Sequence, residues 1–229
     1  MVGTISYLTF ESGKIDVQNS NNMGYIGIGM IAGTASSGTI ENCRVTGSYI
    51  HVGKDTDNYS QNGARNTYCG GIVGHGNIIL NCYNAASIES FGYIGGISGY
   101  VYGGQIQNCT NQGSMTLLHD NKSLSSDSDN RAVGGIVGFM FAGKIQEVEN
   151  NGAIIYYSNG QVKDKLLAPR MGYMVGKFEK SSSSNLKNFG SMSSENLQSF
   201  KEGGFLGIGA KTYNQERYAN KSNFGEAIN

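Results

Sequence analysis

The stretch "GGIVGHGNIILNCYNAASI", residues 70–88, decides the fold, because its parts return along the chain at fixed offsets. Its first five residues recur as "GMIAG" (29–33), "GGISG" (95–99), "GGIVG" (134–138), "GYMVG" (172–176) and "GGFLG" (203–207). Its second half recurs as "GTIENCRVTGSYI", "GQIQNCTNQGSM", "GKIQEVENNGAI" and "SSSSNLKNFGSM". Aligned, the copies form apolar columns. One holds Ile31, Ile72, Ile97, Ile136, Met174 and Phe205; the next holds Ile40, Ile79, Ile106 and Ile145, failing at Ser183. A third holds Cys43, Cys82, Cys109, Val148 and Leu186, and a fourth the turn residues Gly47, Ala86, Gly113, Gly152 and Gly190. A fifth takes Tyr49, Ile88, Met115, Ile154 and Met192.

Apolar columns separated by glycine every few residues imply short strands, since an interior glycine costs a helix about 1 kcal/mol. The tightest repeat, Gly74 to Gly99, spans about 25 residues, enough for three strands and three corners and too short for a propeller blade. One such coil cannot bury its own columns, whereas stacked coils can. The expected fold is therefore all-β: a parallel β-helix (β-solenoid) of five to six coils, right-handed by the general crossover rule. Residues 1–23 read as an N-terminal partial coil or cap, 24–207 as the solenoid and 208–229 as a C-terminal cap or tail, with Tyr213 and Tyr218 on a short capping helix. Glycine, at 35 residues against a single proline, is expected to serve turns with φ > 0.

The run "GGIVG…GxIxNCxNxG" resembles the GLUG-type glycine-rich repeat family of bacterial and protist surface proteins, over residues 24–207. Met30 and Tyr173 depart from it by replacing the second glycine, as do the serines 181–184. The resemblance implies a module of large secreted, adhesin-like proteins and supplies no catalytic residue.

Lys+Arg and Asp+Glu balance at 17 each, which gives no field favouring nucleic acid. No apolar run approaches membrane-spanning length, and the first residues lack the basic-then-apolar pattern of a signal peptide. The expected setting is extracellular or cell-surface, as part of a longer polypeptide; an intracellular assembly protein is the competing setting.

Information should lie where the repeat is broken. Long connections follow coils one, three and four at the same corner, whereas the second coil returns from Ile88 to Ile94 directly. Insertions on one face of a solenoid are often its binding face. They contribute the candidate ligand-binding residues Asp57, Tyr59, His119, Asp129, Tyr156 and Tyr157, with tyrosine rings for sugar faces and Asp as polar anchors. The expected function is non-enzymatic binding of a glycan or of a host or neighbour-cell protein. A carbohydrate-active β-helix enzyme and a purely structural scaffold are the alternatives.

No cofactor is expected. Two Asp-x-Asp-Asn runs, at 55–58 and 127–130, could offer calcium oxygens but lack the glycine and terminal glutamate of an EF-hand loop. No Cys/His spacing suits zinc. Cysteines sharing a column with Val148 and Leu186 read as packed free thiols, and Cys69 does so beside Ile28, Ile94, Val133 and Met171. Ser98 shares its column with Ala32, Val73, Val137 and Val175, so "GGISG" is a repeat variant rather than a nucleophile elbow. Strand positions show no acid cluster in this alignment. The asparagines flanking the third column, 42, 81, 108 and 185 before it and 84, 111, 150 and 188 after it, read as structural ladders.

Overall fold

The computed structural model describes residues 3–18, 25–53, 67–119, 132–158, 170–195 and 227–228. It is a β-solenoid in which every strand pairing among the described residues is parallel. The first face is a five-stranded sheet of Ile26–Gly29, Thr67–Gly70, Tyr93–Gly95, Ala132–Gly134 and Arg170–Gly172. The second face belongs to a 13-stranded sheet containing Ala32–Glu41, Val73–Leu80, Ser98–Gln107, Val137–Phe141 and Val175–Glu179. The third is six-stranded: Lys14–Gln18, Tyr49–Gly53, Ser87–Ser90, Met115–His119, Ile154–Ser158 and Met192–Glu195. The five strands of the first face bound about four complete turns, with partial turns at both ends, slightly fewer than the repeats implied.

The register reproduces the sequence columns. Ile40, Ile79, Ile106 and Ile145 are Cα partners along the stack and are fully buried, as are Ile72, Ile97, Ile136 and Met174. Cys43, Cys82 and Cys109 are free and buried above Val148. Burial pushes the Cys69 thiol up to about 12 and holds that of Cys109 well above its ordinary value.

Residues 3–18 form a rung of the same pattern rather than a distinct cap: Ile5 pairs with Ile40, Phe10 with Val45 and Ile15 with Ile50. At the other end Ala227–Ile228 pairs with Phe178–Glu179, while Phe205, Tyr213 and Tyr218 lie outside the described residues.

Three expectations change. In the fifth column the first coil contributes Ile50, fully buried and in register with Ile88, and not Tyr49, which pairs with Ser87. The cause is one extra residue at this corner. Gly47 takes a left-handed φ of 56° there, and Ser48 Oγ accepts from Gly13 N–H and donates to the Thr46 carbonyl. Later coils omit that residue and close the corner with a side chain: Asn84 Oδ1 accepts from Ala86 N–H at 2.9 Å and its Nδ2 donates to the Ala86 carbonyl.

Second, the glycines are not mainly turn-formers. Among the described glycines only Gly47 and Gly103 have positive φ, and the left-handed position before the third column is taken by Asn42, Asn81, Asn108 and Asn185 at 52–54° and by Glu147 at 54°. Glycine instead permits close approach. A Cβ on Gly71, Gly96 or Gly135 would lie 2.2–2.3 Å from the amide of Asn84, Asn111 or Asn150 of the same coil. The first coil has Val45 in the asparagine position and Met30 in the glycine position, and both join the apolar core.

Third, acidic and imidazole groups do meet on a strand face. The slip at Gly47 brings Asp16, His51 and Glu89 into one row of the third face.

The inner asparagine ladder runs its full length, and the outer one runs from Asn42 to Asn108 and stops where Glu147 takes the rung before Asn185. Outside, Asn108 Nδ2 donates to Asn81 Oδ1 and Asn81 Nδ2 to Asn42 Oδ1, at 3.1 and 3.2 Å. Inside, Asn84 donates to Asn111, Asn111 to Asn150 and Asn150 to Asn188, amide to amide at 2.8, 2.9 and 3.0 Å.

Candidate functional site

The connections at 54–66, 120–131 and 159–169 all leave the third face and return to the first, at the corner that Phe91 and Gly92 turn in the second coil. Asp57, Tyr59 and Asp129 lie outside the described residues, as do both Asp-x-Asp-Asn runs. His119, Tyr156 and Tyr157 lie within strands of the third face, not within the connections. Their backbones pair His119 with Ser158, Tyr156 with Leu117 and Tyr157 with Leu118. The strands run on further than the repeat pattern implied, and the fold brings these three residues onto adjacent rungs at the exit corner.

Where the chain re-enters the first face, an aromatic wall begins. Tyr68 and Tyr93 are lateral partners there and are 8% and 4% exposed. Around the next corner His75, Tyr100 and Phe139 are partners in one row of the second face, and Tyr102 and Phe141 in another. The rings join these rows. Tyr68 stacks on Tyr100 at 4.8 Å and on Tyr25 at 5.4 Å, Tyr100 meets Phe139 at 5.2 Å, and Tyr93 meets Phe139 at 5.4 Å. Tyr102 stacks on Phe141 at 5.4 Å with planes 7° apart.

Two cations end the rows. Lys177 Nζ sits 4.5 Å from the Phe139 ring centre and pairs with Glu179 at 2.8 Å, and Lys180 Nζ lies 5.1 Å from that of Phe141. Burial lowers the His75 pKa and raises those of Tyr68 and Tyr100, so imidazole and phenols are neutral at pH 7. Neutral rings bounded by stacked cations suit recognition through ring faces and hydroxyls, not anion capture. This wall lies off the inward-facing apolar columns, although the alignment puts His75, Tyr100 and Phe139 at one offset and Tyr102 and Phe141 at another.

The third face carries the other cluster. His51 Nδ1 lies 3.0 Å from Asp16 Oδ1, Lys14 Nζ lies 2.9 Å from Asp16 Oδ2, and Tyr49 donates to Glu89 Oε2 at 2.5 Å. The His51 contact, then Lys14, holds the Asp16 carboxyl below its usual range; burial, then the Glu89 carboxylate, raises the Tyr49 phenol. A phenol held protonated is a poor base, and Asp16 is already engaged by the Lys14 ammonium and the His51 ring, so neither is poised for proton abstraction. Among the described residues no group of three or more His, Cys, Asp or Glu side chains is arranged to hold a metal. Ser98 is fully buried and donates to the Tyr100 carbonyl, which leaves it no substrate access.

Comparison with protein-family models, curated proteins and solved structures returns no match.

Proposed function

We propose that this chain is a non-enzymatic binding module of a secreted or cell-surface protein, of the adhesin-like kind implied by its GLUG-type repeats. Its working surface is the flank where the three insertions emerge. The observation that carries this reading is topological: three long connections leave one corner and lead back beside an aromatic wall that forms a hydrophobic cluster of its own, apart from the main core. Ligands of the expected class are a glycan or a protein of a host or neighbouring cell, engaged by Asp57, Tyr59, His119, Asp129, Tyr156 and Tyr157. No cofactor enters the mechanism.

The test is a glycan and protein array probed with the full chain and with a variant whose residues 54–66, 120–131 and 159–169 are each replaced by a two-residue return patterned on Phe91-Gly92. Binding lost on trimming supports the corner, and binding unchanged refutes it.

The second reading is a carbohydrate-active enzyme, and what speaks for it is the row that sets the Asp16 and Glu89 carboxylates on either side of His51. It predicts polysaccharide turnover abolished by Asp16→Asn; an intact polysaccharide after prolonged incubation excludes it for that substrate.

A further inference from the structure

The second face is not flat. Between the partners Val101 and Gln105 the third coil carries three residues, Tyr102, Gly103 and Gly104, and between Ala35 and Thr39 the first coil carries Ser36, Ser37 and Gly38. The second coil spans the same interval, Gly76 to Ile78, with Asn77 alone. Both register shifts therefore flank one shortened rung. The result is a slot across the solenoid, walled by the bulge of coil one on one side and that of coil three on the other. Rungs lie about 4.8 Å apart, so the two walls stand about 10 Å apart.

The slot is lined for a particular kind of ligand. On the coil-three wall, Tyr102 has no partner in coil two, because that coil lacks the residue that would face it. One ring face is stacked on Phe141 and the side chain is 59% exposed. Gly103, at φ +64° with open space around it, and Gly104, whose Cβ would strike the Asn77 carbonyl at 2.0 Å, allow the bulge to turn over the short rung. Exposed Ser36 and Ser37 belong to the opposite wall, and Asn77 with the 37% exposed Ile78 forms the floor. Beside it Gln105 donates to Gln107 and Gln107 to Glu147, an amide–carboxylate row with acceptors to spare.

We infer that this slot is a saccharide subsite: a pyranose ring lies edge-in with its C–H face against Tyr102 and its hydroxyls on Ser36, Ser37, Asn77 and the glutamine row. Bulges that re-aim a side chain are over-represented beside functional sites. A peptide strand cannot add here, because the flanking backbones are already paired inside the sheet. The inference rests on the binding reading above, but places the contact on the second face rather than in the insertions.

The experiment uses the full chain, soluble and insoluble cellulose, chitin, xylan and mannan as probes, and affinity electrophoresis with pull-down as readouts. With 14 tyrosines and no tryptophan, tyrosine emission also reports the site directly. Tyr102→Ala should weaken binding about tenfold or more and remove the emission change, whereas Tyr102→Phe keeps the ring face and stays near the parent. Since Tyr102 is exposed, unchanged far-ultraviolet circular dichroism is expected of both variants. Binding that survives Tyr102→Ala overturns the subsite; if the insertion-trimmed protein loses binding in the same assay, the corner reading stands without it. Binding that survives in the trimmed protein and falls in Tyr102→Ala supports the slot and overturns the corner. Failure of the parent to bind any of the polysaccharides, or a protein ligand displaced by Tyr102→Ala, overturns the saccharide assignment.

Discussion

Deleting the amide of Asn111 should reveal how much of the stack depends on its internal ladder. The side chain is fully buried. It accepts from Asn84 Nδ2 at 2.8 Å and from Gly113 N–H at 3.1 Å, and donates to the Gly113 carbonyl and Asn150 Oδ1, both at 2.9 Å. In Asn111→Ala both Gly113 groups lose these bonds, while Asn84 keeps the Ala86 carbonyl and Asn150 keeps Gly152 N–H. Each orphaned buried group costs about 1–3 kcal/mol, so the expected loss is about 3–5 kcal/mol, at the severe end for one substitution. Asn188, half-buried on the last full rung, accepts only from Asn150 and donates to Gly190, and water can replace it. Asn188→Ala should cost about 1 kcal/mol. Urea unfolding followed by far-ultraviolet circular dichroism gives both values, provided the slope of each transition matches the parent. Equal shifts of the two midpoints would refute the claim that the ladder is a buried, mutually satisfying network rather than a row of independent corners.

Two further outcomes follow from the same geometry. Gly71→Met alone collides with Asn84, and Asn84→Val alone strands its partners; the double variant copies Met30 and Val45 of the first coil. A double-mutant cycle should therefore show a favourable coupling of about 1 kcal/mol or more, and simple additivity would contradict it. The Cys69 thiol, at about 12 when folded against 9.0 ordinarily, contributes stability that is complete below pH 9 and lost as pH rises toward 12. The slope is about 1.4 kcal/mol per pH unit, up to roughly 4 kcal/mol in all, so unfolding midpoints at pH 8 and pH 11 should differ less in Cys69→Ala than in the parent.

Much of the architecture is legible in the repeats because a solenoid's interior must present the same kind of residue at the same place in each coil. Isoleucine at 40, 79, 106 and 145 admits one alignment, and that alignment is the strand register. The slip at Gly47–Ser48 is not legible, since Tyr49 and Ile50 are both apolar enough for the column and only burial separates them. That slip also concealed the Asp16–His51–Glu89 row, whose members share no offset until it is applied. The glycine pairs signal spacing rather than turning, because their neighbours are asparagine amides far away in sequence. Outward positions obey no burial rule, so the aromatic wall needs the corner between two faces to bring its rings together. Of the candidate ligand residues, the strand positions of His119, Tyr156 and Tyr157 were hidden by the weak boundary between a strand end and an insertion.

The uniformly parallel pairing has a mechanical consequence. Hydrogen bonds of the ladders run along the stack, so a pull on the two ends loads them one coil after another and not all together. Each coil that peels away releases roughly 25–40 residues, on the order of 80–140 Å of extended chain. A tether built this way yields in steps at nearly constant tension. The central asparagine amides would set the highest step, and single-molecule extension should show it in the traces as a delayed rupture midway along the chain.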